Sequence, residues 1–243
     1  MPLSSLDVSA LSFDMPPYRL SGVVVGALMN HPDDTAALGD AVNQPPYKAP
    51  PRAPVLAVKP RNTLALEGST VWLPADAPEV WVSANLGIVI GRTACHVAEH
   101  DALRHVAGYV VVIDFSLPLP AAQPAHYRPA VRQRARDGFC PVGQHAVPAQ
   151  QVPEPNELAV RVWLDGECVQ LSSTAGRTRG VAKLLADVSE FMTLNTGDLL
   201  LLGAAPDAPR AHAGQQVAVQ IDGLGMLQVQ LQALPAAPTQ EAA

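Results

Sequence analysis

Residues 81–91 read WVSANLGIVIG. Apolar side chains fall at Val82, Ala84, Leu86, Ile88 and Ile90, every second position, which is the period of a strand with one face against a core. Ser83 and Asn85 leave the opposite face two positions apart, so they stand side by side, small and uncharged. Two carboxylates at that spacing would form half of a divalent-cation site. Here neither residue carries a charge. The stretch therefore raises two questions: which sheet holds this strand, and what its polar pair does.

Outward from it, strand patterns recur at 23–28, 55–59, 71–73, 108–115, 158–164, 168–171, 199–202, 216–221 and 226–231. DGEC (165–168) and DGLG (222–225) place Asp-Gly between apolar runs, the mark of a tight hairpin turn. Helices are few. A short helical turn is expected at 35–38 and a helix at 99–106, ended by Gly108. A longer helix is expected at 178–192, where Val181, Leu184, Leu185, Val188 and Phe191 share one face. Two long Pro-rich loops, 30–54 and 116–143, exceed simple connectors and suit a lid or an interface. The expected organisation is a Ser- and Pro-containing arm over 1–20, one mainly β domain with a few helices over 21–234, and a tail over 235–243.

Composition narrows the function classes. The 243 residues are 48% hydrophobic but only 5% aromatic, so the core is expected to be mostly Ala, Val and Leu. Charged residues are 16%, against roughly a quarter in an ordinary soluble domain, and oligomerisation is the usual use of the uncharged surface this leaves. A net charge of −6 argues against nucleic acid or an anionic membrane as partner. Cys95, Cys140 and Cys168 are far apart, show no zinc spacing and suit reduced thiols. The first residues lack a basic n-region, and no stretch approaches ~18 consecutive apolar residues, so a cytoplasmic protein is expected. His96, His100 and His105 share no clear ligand face with a carboxylate or Cys and read as solvated. Phosphate-loop, dinucleotide and GxSxG patterns are absent.

Three stretches do carry chemistry: VKPRNTL (58–64), GYVVVIDFSLP (108–118) and HYRPAVRQRARDGFCPVG (126–143). Lys59 ends a strand beside Pro60. Asp114 closes an apolar strand, where a carboxylate is costly unless paired or solvated. Tyr127, Arg128, Arg132, Arg134 and Arg136 add a hydroxyl and cations. On chemistry alone a solvated basic loop explains the last stretch equally well.

With PYKAPP, KPRNT, YRPA, RDGFCP, SEFMTLN-GD and DGLG, these phrases make residues 23–231 resemble the fumarylacetoacetate hydrolase family. The branch resembled is the isomerase/decarboxylase of 4-hydroxyphenylacetate (homoprotocatechuate) breakdown, in its N-terminal half or the equivalent separate subunit. The resemblance implies a mixed β-sandwich or roll around a barrel-like core, and pairing of subunits. It also implies metal-assisted chemistry, in which a Mg²⁺-type cation on oxygen ligands polarises a 2-oxo acid and stabilises an enolate.

The family's metal strand reads ExExxVVIG, and a later strand adds an Asp. Those positions are Ser83, Asn85 and Asp114 here, which leaves one anionic ligand of three. The family's lid His and Glu fall on Asp34 and Ala37. Its TGTP phrase becomes Leu202, Gly203, Ala204 and Ala205. Lys59 remains, Arg134 stands for a second Lys, and Tyr127 and Asp137 keep their places. No metal or other cofactor is expected in this chain, and Lys59 and Arg134 are expected to pair with Asp114 in its absence.

Three readings follow. The first is a partner subunit with an eroded site, joined to itself or to a homologous catalytic chain. The second is a metal-independent decarboxylase or tautomerase in which Lys59 and Arg134 bind the substrate's carboxylates and one of them stabilises the enolate, within an expected substrate-binding set of Lys59, Asp114, Tyr127 and Arg134. The third is a non-catalytic small-dicarboxylate binding module.

Overall fold

The computed structural model describes residues 22–45, 48–119 and 130–235. The expected arm, Tyr127 and all of the expected tail but Pro235 lie outside these residues. Fourteen strands are present among the described residues: β1 (Val24–Leu28), β2 (Val55–Lys59), β3 (Leu64–Leu66), β4 (Thr70–Leu73), β5 (Glu79–Ile90), β6 (Val106–Ser116), β7 (Cys140–Val142), β8 (Val147–Pro148), β9 (Ala159–Leu164), β10 (Glu167–Ser173), β11 (Leu199–Leu201), β12 (Arg210–His212), β13 (Gln216–Ile221) and β14 (Gly225–Ala233). The helices are α1 (Pro32–Ala36), α2 (Glu99–Ala102), α3 (Val131–Arg134) and α4 (Val181–Ser189).

The strands form two sheets. The larger runs β2-β1-β11-β5-β6-β7-β3, with β12 beside β5 and β8 beside β6. Its spine is the antiparallel β5–β6 ladder, from Trp81 opposite Ser116 to Ile90 opposite Val106. β2 and β3, the two ends of this path, follow each other in the chain through the 3-10 turn Arg61–Thr63. The side chain of Lys59 on β2 also meets Asp114 on β6. The sheet therefore curls into a roll. Its concave side is filled by Val24, Val89, Val110, Val112, Cys140, Val142, Leu199 and Leu201. The convex side carries Val82, Ala84, Leu86, Ile88 and Ile90 into a larger core, shared with α4 and the second sheet. That second sheet runs β10-β9-β13-β14-β4. The alternation in 81–91 is thus real, and both of its faces look inward.

Where expectation and structure differ, local causes account for it. The helix expected over 178–192 is shorter, because Gly180 at its start is extended and Asn156 Oδ1 accepts from the Val181 N–H in place of a cap. Val181, Leu184, Leu185 and Val188 do face the core, whereas Phe191 lies past the helix end and is 63% exposed. The helix expected over 99–106 stops at Ala102 and tightens into a 3-10 turn over Leu103–His105, since the chain must be extended by Val106 to enter β6. The 116–143 loop contains α3 and β7, too short for any periodicity to reveal. DGEC is a two-residue hairpin with Asp165 and Gly166 both at positive φ.

Candidate functional site

The polar face of β5 opens onto a cavity of about 550 Å³ at one mouth of the roll. Strand register sets its floor: Ser83 lies opposite Asp114, and Trp81 opposite Ser116. Asn30, Asp34, Asn85, Gln133, Arg134, Arg210 and the 203–205 loop complete the walls.

Asp114 is only 2% exposed. Left alone there, its charge would be very unfavourable, and the fold answers with two cations. Lys59 Nζ donates to one carboxylate oxygen, and Arg134 Nη1 donates to the other at 3.1 Å. Lys59 is buried beneath the carboxylate, so it acts on the cavity through Asp114. The Arg134 side chain, from α3, is 23% exposed and lines the cavity directly. The Cys140 thiol lies near the same group. Burial, with Lys59 opposing and Asp114 reinforcing, pushes it up to about 12, so at neutral pH it stays a protonated core residue.

Asn85 holds a backbone group. Its Oδ1 accepts from the Gly203 N–H at 2.9 Å, and its Nδ2 donates to the Ser83 carbonyl at 3.3 Å. Gly203 sits at φ +99°, and a Cβ there would come 3.0 Å from the Ala27 carbonyl oxygen, which suits only glycine. A second buried amide secures the same loop. Asn30 Nδ2 donates to the Leu202 and Arg179 carbonyls at 2.8 Å each, and its Oδ1 accepts from the Arg179 N–H at 2.9 Å.

The remaining positions scatter. Asp34, on α1, lines the cavity. Burial raises its pKa, partly offset by the His31 N–H it accepts and by the nearby Arg177 guanidinium. Ala37 is exposed past the end of α1 and does not reach the cavity. Leu202 points into the core, whereas Gly203, Ala204 and Ala205 line the wall. Asp137 accepts from Asn62 Nδ2 at 2.7 Å, outside the cavity.

Several contributors were not anticipated. Asn30 had no signal beyond ending a strand, and Arg177, which donates to the Gly203 carbonyl at 3.1 Å, had none. Trp81 could have been found, because it shares the period-two face of Ser83. Its partner Arg210 stacks 4.4 Å above the indole and comes from β12, a three-residue strand inside an apparent loop.

Ser83, Asn85 and Asp114 do converge, so a metal can be tested against them. A hard dication asks for about six oxygens, several of them anionic. The lone carboxylate here already accepts from two cations, and the Asn85 oxygen holds Gly203. Among the described residues no three His, Cys, Asp or Glu side chains are grouped to hold a metal ion. These residues do not fit a Mg²⁺-type ion.

A family model described as fumarylacetoacetate (FAA) hydrolase C-terminal matches residues 23–232. Over 209 residues the chain is 34% identical to the 4-hydroxyphenylacetate degradation bifunctional isomerase/decarboxylase of Escherichia coli. That match covers 86% of this chain and 47% of the relative, so the chain spans about half the relative's length. The fold is shared with a 5-carboxymethyl-2-hydroxymuconate delta-isomerase from Mycobacterium smegmatis, with TM-score 0.73, 25% identity, and coverage of 89% of this chain and 80% of that one. It is shared too with a 2-hydroxyhepta-2,4-diene-1,7-dioate isomerase from Mycobacterium marinum, with TM-score 0.70, 27% identity, and coverage of 88% and 75%. The curled sheet, the KPRNT and RDGFCP phrases and a model match over nearly the whole chain agree: this protein belongs to the fumarylacetoacetate hydrolase family.

Proposed function

We propose that this chain is a subunit of an isomerase/decarboxylase that takes 5-oxopent-3-ene-1,2,5-tricarboxylate and 2-hydroxyhepta-2,4-diene-1,7-dioate in 4-hydroxyphenylacetate breakdown, and that its own metal site is disarmed. Its contribution is a homologous structural half, paired with itself or with a catalytic chain of the same fold, and it turns over little alone. The activities named for the E. coli relative and the M. marinum structure support the substrate class. The observation that carries the disarmed site is the occupation of both Asp114 oxygens by Lys59 and Arg134. An internal ammonium and guanidinium supply the positive charge that a dication would bring, and they exclude one by repulsion as well as by filling its ligand.

Protein purified without chelator is expected to contain substoichiometric metal, and its decarboxylation rate is expected to be indifferent to EDTA or added Mg²⁺. Stoichiometric Mg, Mn or Ca, or metal-dependent turnover in the ordinary range of roughly 1–10³ s⁻¹, would overturn this reading. Ser83→Glu combined with Asn85→Glu sharpens the same test. Restored carboxylates should give a Mg²⁺-dependent rise in Tm that the parent chain lacks.

A second reading, metal-independent decarboxylation or tautomerisation, is favoured by one observation: the Arg134 guanidinium lines the cavity, with the half-buried carboxyl of Asp34 also in its wall. There the arginine would oppose a substrate carboxylate and a developing enolate. Activity of the isolated chain in EDTA that is lost in Arg134→Gln would favour it.

A further inference from the structure

We infer that Arg210, stacked on Trp81, sets the length of acid this cavity accepts: it takes a second carboxylate on the far side from Arg134, so the site holds an extended molecule that is anionic at both ends. This rests on the reading that the cavity receives a di- or tricarboxylate, and it names the residue that tells such an acid from a monocarboxylate.

Strand register places the two cations. Across the mouth of the roll one row runs from Arg210 on β12 to Trp81 on β5 and Ser116 on β6, and the next row carries Ser83 and Asp114. Arg210 is thus two strands and two residues from Asp114, the carboxylate that Arg134 holds, a separation of roughly 12 Å between backbone positions. Both guanidinium side chains line the cavity. The floor between them is neutral, made by the Ser83 and Ser116 side chains. Among the described residues neither hydroxyl has a hydrogen-bond partner, although Ser116 is only 5% exposed, so both can donate to or accept from a ligand. An extended carbon chain advances about 1.2 Å per bond, as the peptide backbone does. A seven-carbon diacid therefore spans ~7 Å between its carboxyl carbons, and a hydrogen bond of ~3 Å at each end brings the total close to the separation of the two arginines. A three-carbon acid reaches one cation and not the other.

Arg210 is held in place rather than trailing in solvent. Its guanidinium lies 4.4 Å from the centre of the Trp81 ring, and its Nη1 is 3.2 Å from Glu79 Oε1. Stacking uses the flat face of the guanidinium, and Glu79 takes one side of its fork, so the rest of the fork keeps its in-plane donors for a carboxylate. A side chain already fixed in orientation loses little rotamer freedom on binding. The Glu79 pair is partly exposed, 56% on the arginine and 26% on the glutamate, so water screens it and an incoming anion still meets positive charge. The carboxyl groups of the wall are offset in the same way. Asp114 is held by Lys59 and Arg134, Asp34 lies near the Arg177 guanidinium, and Asp207 is exposed at the rim.

The test is titration calorimetry of the full chain with pimelate and heptanoate, two seven-carbon acids that differ in the second carboxylate. The parent is expected to bind pimelate about 10–100-fold more tightly, the value of one further charge-assisted contact. Heptanoate is expected at Arg134, the less exposed of the two cations. Arg210→Gln should therefore erase the preference by weakening pimelate alone, and Arg210→Lys, which keeps the charge without the planar fork, should retain part of it. Arg161→Gln, on the second sheet and paired with Asp222, should change neither affinity. Circular dichroism checks that each variant folds. Equal affinity of the parent for the two acids, or a preference that survives Arg210→Gln or falls equally in Arg161→Gln, overturns the inference and leaves the carboxylate-binding reading standing. A parent that binds neither acid overturns both.

Discussion

One pair of strands, β5 and β6, lines two different interiors on a single face. Towards the centre of the roll, Gly87 and Val89 meet Val110 and Val112 in a dry plug. Gly87 is small because a Cβ there would lie 2.8 Å from methyl groups of both Val110 and Val112. Two to four residues further along, the same face carries Ser83, Asp114 and Ser116, with Asn85 at the boundary. The plug is held by neighbours on adjacent strands. The mouth is held by remote chain: Lys59 lies 55 residues from Asp114, and Gly203 lies 118 from Asn85. Local alternation thus assigns a residue to a face, and distant partners assign its job.

The largest expected effect breaks the mouth. Lys59→Ala leaves Asp114 buried with one cation and should cost about 3–5 kcal/mol of unfolding free energy, read by equilibrium urea denaturation. Replacing the buried pair, Lys59→Met with Asp114→Leu, should recover much of it, because neither fully buried charge is then left alone and the Arg134 side chain, 23% exposed, can turn to the open cavity. A small loss in the single variant would mean that solvent reaches Asp114 and that mouth and plug are less distinct than they look.

Next comes the plug. Gly87→Ala should cost about 1–3 kcal/mol by overpacking, and Val110→Ala in the same chain should relieve part of it. If the two losses simply add, the contact is not what limits residue 87.

The smallest effect concerns Asp34. Its raised pKa means that the native state binds the proton more readily than the unfolded chain does. That contribution is fully present below the ordinary value of 3.8 and lost as pH rises through the raised one. Asp34→Asn removes the charge and keeps an acceptor for the His31 N–H. Its Tm should therefore exceed the parent's at neutral pH by an amount worth less than about 1 kcal/mol, since the group is half exposed. The gain should vanish below pH 3.8. A gain that persists in acid would assign the effect to helix capping instead.

Much of this architecture is legible in residue order, and the failures are informative. Long alternating runs such as 81–90 and 216–221 declare themselves because burial repeats every second residue. The three-residue strands β3, β7 and β12 do not, since so few residues hold no period. The uncharged pair at 83 and 85 is visible as letters in a motif. The cation–π stack of Arg210 on Trp81 is not, because one partner lies in what reads as a loop.

The amino-acid order alone pointed to a mainly β chain of this family, placed Ser83 and Asn85 on one face of a strand, and made both of them uncharged. Each of those is a local property of period or motif. Only the closed roll decided that Asn85 holds Gly203, that Lys59 lies beneath Asp114 rather than open to the cavity, and that Asn30 ties three segments together. Those choices depend on which remote backbone arrives within 3 Å, and curling of the sheet, rather than any run of neighbouring residues, brings it there.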